Sequence, residues 1–283
     1  MLALNLLING LVTGCALGVV AVSFQLAYST TRIFHVAHAG IYTLAGYLAF
    51  SMVERGLPDP FAIIIAALIC AALGALIQYA LYATLERRRA SHLSVLIASL
   101  GVLAVIQNVI SAFYSPNIIP FTSAWRGRMM SLGLTEVQVA TLIVCLAVFA
   151  AALLFARLTP LGKRIRAVAS NPFLAEITRL RPQQTYIIVM AIASAMVAIP
   201  GALVAMDLGL QPYNGTTVLL TATIAVIAGG IGSLIGAFAL AVLITVLQNL
   251  SLLAISGEWS VGITFFIFLI FMLFRPTGLF AQR

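Results

Sequence analysis

The sequence predicts an all-α fold: a polytopic helical membrane protein of about eight transmembrane helices, with glycine-broken or re-entrant segments near 35–50 and 217–250. Three observations predict it. Of 283 residues, 63% are hydrophobic and only 8% charged, where a soluble domain carries about 25% charged residues. Apolar runs of about twenty residues, enough to span a bilayer, recur along the whole chain. The 15 basic residues gather in short polar breaks, as they do in cytoplasmic loops. With a mean hydropathy of +1.14, the chain has too little charge to wet a globular surface. That excludes a soluble enzyme, a disordered chain and a disulfide scaffold.

The candidate spans are 5–28, 33–52, 61–85, 92–114, 135–156, 183–205, 217–250 and 259–274, read as one transmembrane domain over 1–283 with a cytoplasmic loop at 157–182. Prolines fall at or near their edges, where a missing amide donor does least harm. The first span lacks a basic segment before its apolar run and is long enough to stay in the membrane as a retained anchor. Its Gly10, Gly14 and Gly18 form one flat face, expected to pack closely against another helix. The second span decides the side of the N-terminus: a full crossing puts it outside, a re-entrant segment puts it in the cytoplasm.

Arg87, Arg88 and Arg89 place the loop after the third span in the cytoplasm, and the 115–134 loop then falls outside. The basic 157–182 and 275–283 segments are cytoplasmic as well. The span 183–205 holds Pro200-Gly201, which predicts a kink or an early end. Between the last two basic segments the crossings must be even in number, so 217–250 begins and ends on the outer side. At about 51 Å if helical, it is too long for one span and short for two. A turn is expected at Ala228-Gly-Gly-Ile-Gly-Ser233, inside or near the far face of the membrane.

The stretch Gly40–Ala49 aligns without a gap on Gly230–Ala239, sharing Gly, Ile, Leu, Gly and Ala, with Thr43 facing Ser233. Glycine-interrupted segments in matching places of two halves point to a substrate path near the midplane. His38, Gly40, Thr43, Gly230, Gly232 and Ser233 are therefore the candidate pathway residues, and a bulky residue at Gly232 is expected to block transport.

Gln25, His35, Gln107, Asn108, Thr221, Thr223, Gln248 and Asn249 also lie within or at the ends of apolar spans, where each polar group needs a partner. For His38, lining a path and structural bonding are both open. His35 and His38 share a helix face if helical but lack a third ligand, so no metal site is expected. The three cysteines have no ligand or CxxC spacing. All seven acidic residues fall in loops or at span edges, which argues against proton or sodium drive. No nucleophile–base pair suggests an intramembrane enzyme, and no catalytic residue is assigned. The apolar flanks of the basic clusters exclude nucleic-acid binding.

The 157–182 loop carries a helix start at Ser170 or Asn171 followed by Pro172. A short helix should follow, with Phe173, Leu174, Ile177 and Leu180 as an apolar stripe, ended by Pro182. Such a helix could lie on lipid or dock into a groove of another protein. No P-loop occurs, since Gly162-Lys163 is followed by Arg164. If ATP drives this chain, a partner binds it.

Five segments carry a resemblance. They are Leu7–Gly14, Phe34–Gly40 with Leu44–Ala49, Leu161–Ala169, Ala228–Gly236 and Leu273–Phe280. In this order and spacing the chain resembles the LivH-type inner-membrane permease subunits of ABC importers for branched-chain amino acids, over nearly its whole length. The resemblance implies a multi-pass subunit of the bacterial inner membrane, not an enzyme, that moves a branched-chain amino acid or a related amino acid or amide. Implied partners are a second, homologous but different permease, two ATPase subunits and a periplasmic or extracellular solute-binding protein. ATP and Mg would belong to the ATPases, with no cofactor on this chain. Arg166, Ser170, Asn171, Pro172, Phe173, Glu176 and Ile177 would form the ATPase coupling element, on a helix spanning 163–180. His35 and Gly40 depart from the Asn and the usually acidic residue that flank the family histidine. The alternative reading is a stand-alone channel or secondary transporter for a small solute such as urea.

Overall fold

A computed structural model describes residues 2–121, 134–274 and 278–280. Most of the outer 115–134 loop, and Arg275, Pro276 and Arg283 of the basic tail, lie outside the described residues. Among those described, six helices are long and apolar enough to cross a membrane, and further apolar helices are shorter.

Helix α1 (Leu2–Thr31) ends before Arg32, whose φ of 58° turns the chain, and α2 (Ala37–Val53) follows. The break near 35–50 thus falls before Ala37, and Gly40 and Gly46 sit inside an unbroken helix. Helices α3 (Asp59–Leu76) and α4 (Ala83–Arg87) are joined by a π-helical turn, Ile77–Tyr82. Together they make one rod. Helix α5 (His92–Tyr114) follows, and α6 (Glu136–Leu158) starts from a capping box in which Thr135 and Gln138 satisfy each other's backbone amides.

The basic 157–182 segment holds two helices. Thr159 caps α7 (Pro160–Ser170) by accepting from the Gly162 amide at 2.9 Å. Asn171 then caps α8 (Pro172–Ile177), accepting from the Leu174 amide at 3.0 Å. The continuous helix expected over 163–180 is therefore broken at Asn171, which is extended at φ −153°. Ser170 closes α7 instead of capping α8. Arg179, at φ 62°, turns the chain after α8, and Pro182 opens α9 (Pro182–Leu208) where the sequence reading had it end a helix. Pro200 lies within α9, which runs on to Leu208; the lost amide removes one backbone bond without ending the helix.

Helices α10 (Asn214–Gly229) and α11 (Leu234–Ser251) form the broken pair expected in 217–250, and α12 (Ser260–Phe274) follows. Gly230 (φ 99°) and Gly232 (φ 104°) make the turn, and Ser233 caps α11 through the Gly236 amide at 3.0 Å. The tail returns to this turn: the Leu279 and Phe280 amides donate to the Ala228 and Gly229 carbonyls at 3.0 and 3.1 Å. Those carbonyls at the end of α10 would otherwise lack partners. The Gly40–Ala49 stretch is helix and the Gly230–Ala239 stretch is turn plus helix start, so the two are not equivalent in structure.

Helices α1 and α9 are mostly buried, while α5 and α6 mostly face outward. Gly10, Gly14 and Gly18 bring α1 antiparallel onto α11. An added Cβ at the first two would come within 2.9 Å of the Val246 Cα and 3.0 Å of the Val242 Cα, and one at Gly18 would strike the Phe238 ring. Membrane hydroxyls are met locally: Thr30, Thr43, Thr141, Thr221 and Thr245 each donate to the carbonyl four residues back. Gln107 reaches Thr216 across α5 and α10 at 3.0 Å, and Gln248 reaches Thr264 on α12.

Candidate functional site

A polar cluster forms where α1, α2, the π turn and α5 meet. His38 and Ser23 share a hydrogen bond of 2.8 Å. His35 Nδ1 lies 2.7 Å from the Tyr82 hydroxyl, which donates to Ser99 Oγ at 2.8 Å. The Ala37 amide also donates to Ser99, at 3.0 Å. A phenol has one proton to give, so His35 must donate from Nδ1 and carry its lone pair on Nε2. That Nε2, His38 Nδ1 and both polar side-chain atoms of Gln78 are buried with no partner among the described residues. The two imidazole centroids stand 5.5 Å apart. The π turn, a local departure from regular helix, carries Tyr82 into the cluster and holds Gln78 buried within its own six residues.

Tyr82 also lines a cavity of about 680 Å³ beside the basic loop at Arg87, with Tyr28, Arg32, Glu86 and His92. Toward the other end of α2, Thr43 and Ala39 meet Gly215 of α10, and Gly40 faces Ile106 of α5. A small chamber of about 20 Å³ lies beyond them, among Tyr42, Thr43, Gln211 and Asn214.

The pathway residues named from sequence do not converge. His38, Gly40 and Thr43 cluster on α2. Gly230, Gly232 and Ser233 lie at the far end of α10, about 22 Å from Gly215 by helical rise. There Gly232 and Ser233 line a cleft with Arg157 and Arg166, on the basic face of the molecule. Nothing lies within 4 Å of a Cβ added at Gly232.

On that same face α8 projects outward. Phe173, Leu174 and Ile177 are 70%, 57% and 64% exposed, and Glu176 and Pro172 are exposed too. Its underside is fixed: Ala175 packs with Val168 of α7 and Tyr186 of α9. Arg164 ties α7 to the start of α9, donating to Thr185 Oγ1 at 2.9 Å and to the Arg181 carbonyl at 3.2 Å. Gln183 donates to Glu86 at 2.6 Å, joining the two basic loops. The element is an apolar knob on a braced base.

Ser23, Gln78, Tyr82, Ser99 and the start of α7 at Thr159-Pro160 escaped the sequence reading. Thr159-Pro160 repeats the cap-then-proline pattern of Asn171-Pro172, and that signal could have found α7. The π turn has no such signature.

A sequence model of the branched-chain amino acid transport system permease component matches residues 6–272. The chain is 24% identical to the high-affinity branched-chain amino acid transport system permease protein LivH of Salmonella typhimurium, covering 99% of this chain and 96% of that one. It is 23% identical to the corresponding protein BraD of Pseudomonas aeruginosa over the same shares. Among solved structures, PsaBC from Streptococcus pneumoniae in complex with Fab resembles it with a TM-score of 0.54 at 17% identity, over 95% of this chain and 91% of that one. That likeness concerns the fold.

Proposed function

The chain belongs to the family of permease components of branched-chain amino acid transport systems, and from that premise we propose how it works. It is a membrane-spanning subunit of an ABC importer, set in the bacterial inner membrane, and it translocates a branched-chain amino acid or a related amino acid or amide. ATP and Mg are used by two separate ATPase subunits; this chain supplies no catalytic group and binds no cofactor. A second, homologous permease completes the pathway, and a solute-binding protein delivers cargo from outside.

The observation that carries this reading is α8. Three large apolar side chains stand exposed on one short helix, on the face where the arginines gather. In water such a patch marks a contact with another protein, and an amphipathic helix seats by its apolar face in a groove. Asn171, Pro172, Phe173, Glu176 and Ile177 supply that contact, while Arg166 and Ser170 belong to its base on α7. Force from nucleotide binding enters at α8 and passes through the Ala175–Val168–Tyr186 packing to α9. His38, Gly40 and Thr43 stay candidates for the path, with the 680 Å³ cavity as its cytoplasmic mouth. Gly230, Gly232 and Ser233 serve instead as the turn that α6 and α7 abut.

The test is Phe173→Asp and Glu176→Arg in the assembled transporter. Both sites are exposed, so folding and membrane insertion should be kept. Uptake should fall by about tenfold or more, on the scale of a lost interface anchor, while the ATPases still hydrolyse ATP. Wild-type uptake by both variants would remove α8 from the coupling path.

A further inference from the structure

Two cavities outside the cluster and the knob meet at Leu234. One, of about 210 Å³, is walled by apolar side chains, among them Val148, Ala151, Ala152 and Phe155 of α6. The other, of about 180 Å³, is flanked by Arg157 and Arg166 and floored by Gly232, Ser233 and Leu234. Helix α6 sets their order. Val148 precedes Arg157 by nine residues and so lies about 14 Å deeper in the bilayer.

The combined furrow is therefore basic at headgroup depth and apolar toward the midplane. The small side chains of Ala151 and Ala152 hollow its apolar part. Arg157 and Arg166 are exposed, and neither pairs with a carboxylate among the described residues. Leu234 and Ile235, the first two residues of α11, line the same cleft, and their amides have no partner inside their own helix, while Ser233 takes the Gly236 amide. Two guanidinium groups are suited to phosphate oxygens, which they bind through paired charge-assisted hydrogen bonds. A zwitterionic headgroup would bring an ammonium against them, and a free phosphate would leave the apolar furrow unused.

We propose that this furrow binds an anionic phospholipid of the cytoplasmic leaflet, with its phosphate between Arg157 and Arg166 and one acyl chain along Ala151 and Ala152. The lipid bridges the α6–α7 junction to the α10–α11 turn, under the base of α8. The site holds whatever solute the chain moves and whichever way it is driven.

Native mass spectrometry of the purified full-length chain tests this, with phosphatidylglycerol, phosphatidylcholine of the same chains, and inorganic phosphate as probes. Phosphatidylglycerol should be retained in preference to phosphatidylcholine, and phosphate should not compete with it. Arg157→Gln should weaken phosphatidylglycerol binding about fivefold, the factor that one basic residue supplies near an anionic surface. Arg157→Lys should keep most of it. Ala152→Phe, which fills the furrow, should weaken both lipids. Arg88→Gln, in the other basic loop, should change nothing. Equal retention of the two lipids overturns the proposal, as does displacement by phosphate alone. So does an Arg88→Gln loss equal to that of Arg157→Gln, which would mean diffuse charge.

Discussion

The Tyr82 hydroxyl accepts a hydrogen bond from His35 Nδ1 and donates one to Ser99 Oγ, which also accepts from the Ala37 amide. One phenol thus ties the π turn to the start of α2 and to α5. Tyr82→Phe keeps the ring and its packing but leaves His35 Nδ1 without an acceptor in a buried site. A buried donor left unmet costs about 1–3 kcal/mol, so the purified variant should melt at a lower temperature in detergent. An unchanged melting temperature would mean that the hydroxyl carries no such bond. At this scale the sequence was half legible. His35 and His38 stand out because imidazoles are rare in apolar runs. Ser23, Tyr82 and Ser99 do not, since single hydroxyls in a span usually return to their own backbone, as Thr30 and Thr43 do here.

Helix ends were legible wherever chemistry marks them, as with proline after a polar cap at Asn171-Pro172 or glycines between two apolar runs at 229–232. Interruptions without such a mark were not. The π turn at Ile77–Tyr82 lies in an unbroken apolar run that reads as one helix, and of the kink or early end read at Pro200 the early end does not occur, since α9 runs on to Leu208. The glycine turn was legible, but its neighbours were not, because they depend on which helices flank it. Gly232 sits beside Arg157 and Arg166 with open space around its Cβ position, so bulk there meets nothing. What Gly232→Leu does meet is backbone strain at φ 104°, worth about 1–3 kcal/mol. The variant should therefore melt earlier while the folded fraction still takes up solute. Failure to transport by a variant of wild-type stability would return Gly232 to the pathway.

Across the whole molecule, packing brings the basic segments together at one end. The loop after Arg87, the α7–α8 segment and the glycine turn with its returning tail share one end, joined by the Glu86–Gln183 bond and the Arg157–Arg166 cleft. The Leu2 end of α1 lies at the opposite end, since Gly10 meets Val246 and Gly18 meets Phe238 on an α11 that runs away from the turn. Composition announced the membrane, and five short segments in order announced the family. The cargo route was less legible because its parts come from different helices and lack intramembrane carboxylates to mark them.

A permease coupled through α8 is passive without its partners. Concentrative uptake by proteoliposomes tests this most directly, comparing the purified chain alone with the complex carrying its ATPase subunits and ATP. The account predicts accumulation against a gradient only with both ATPases and ATP present. Accumulation by the chain alone would contradict it.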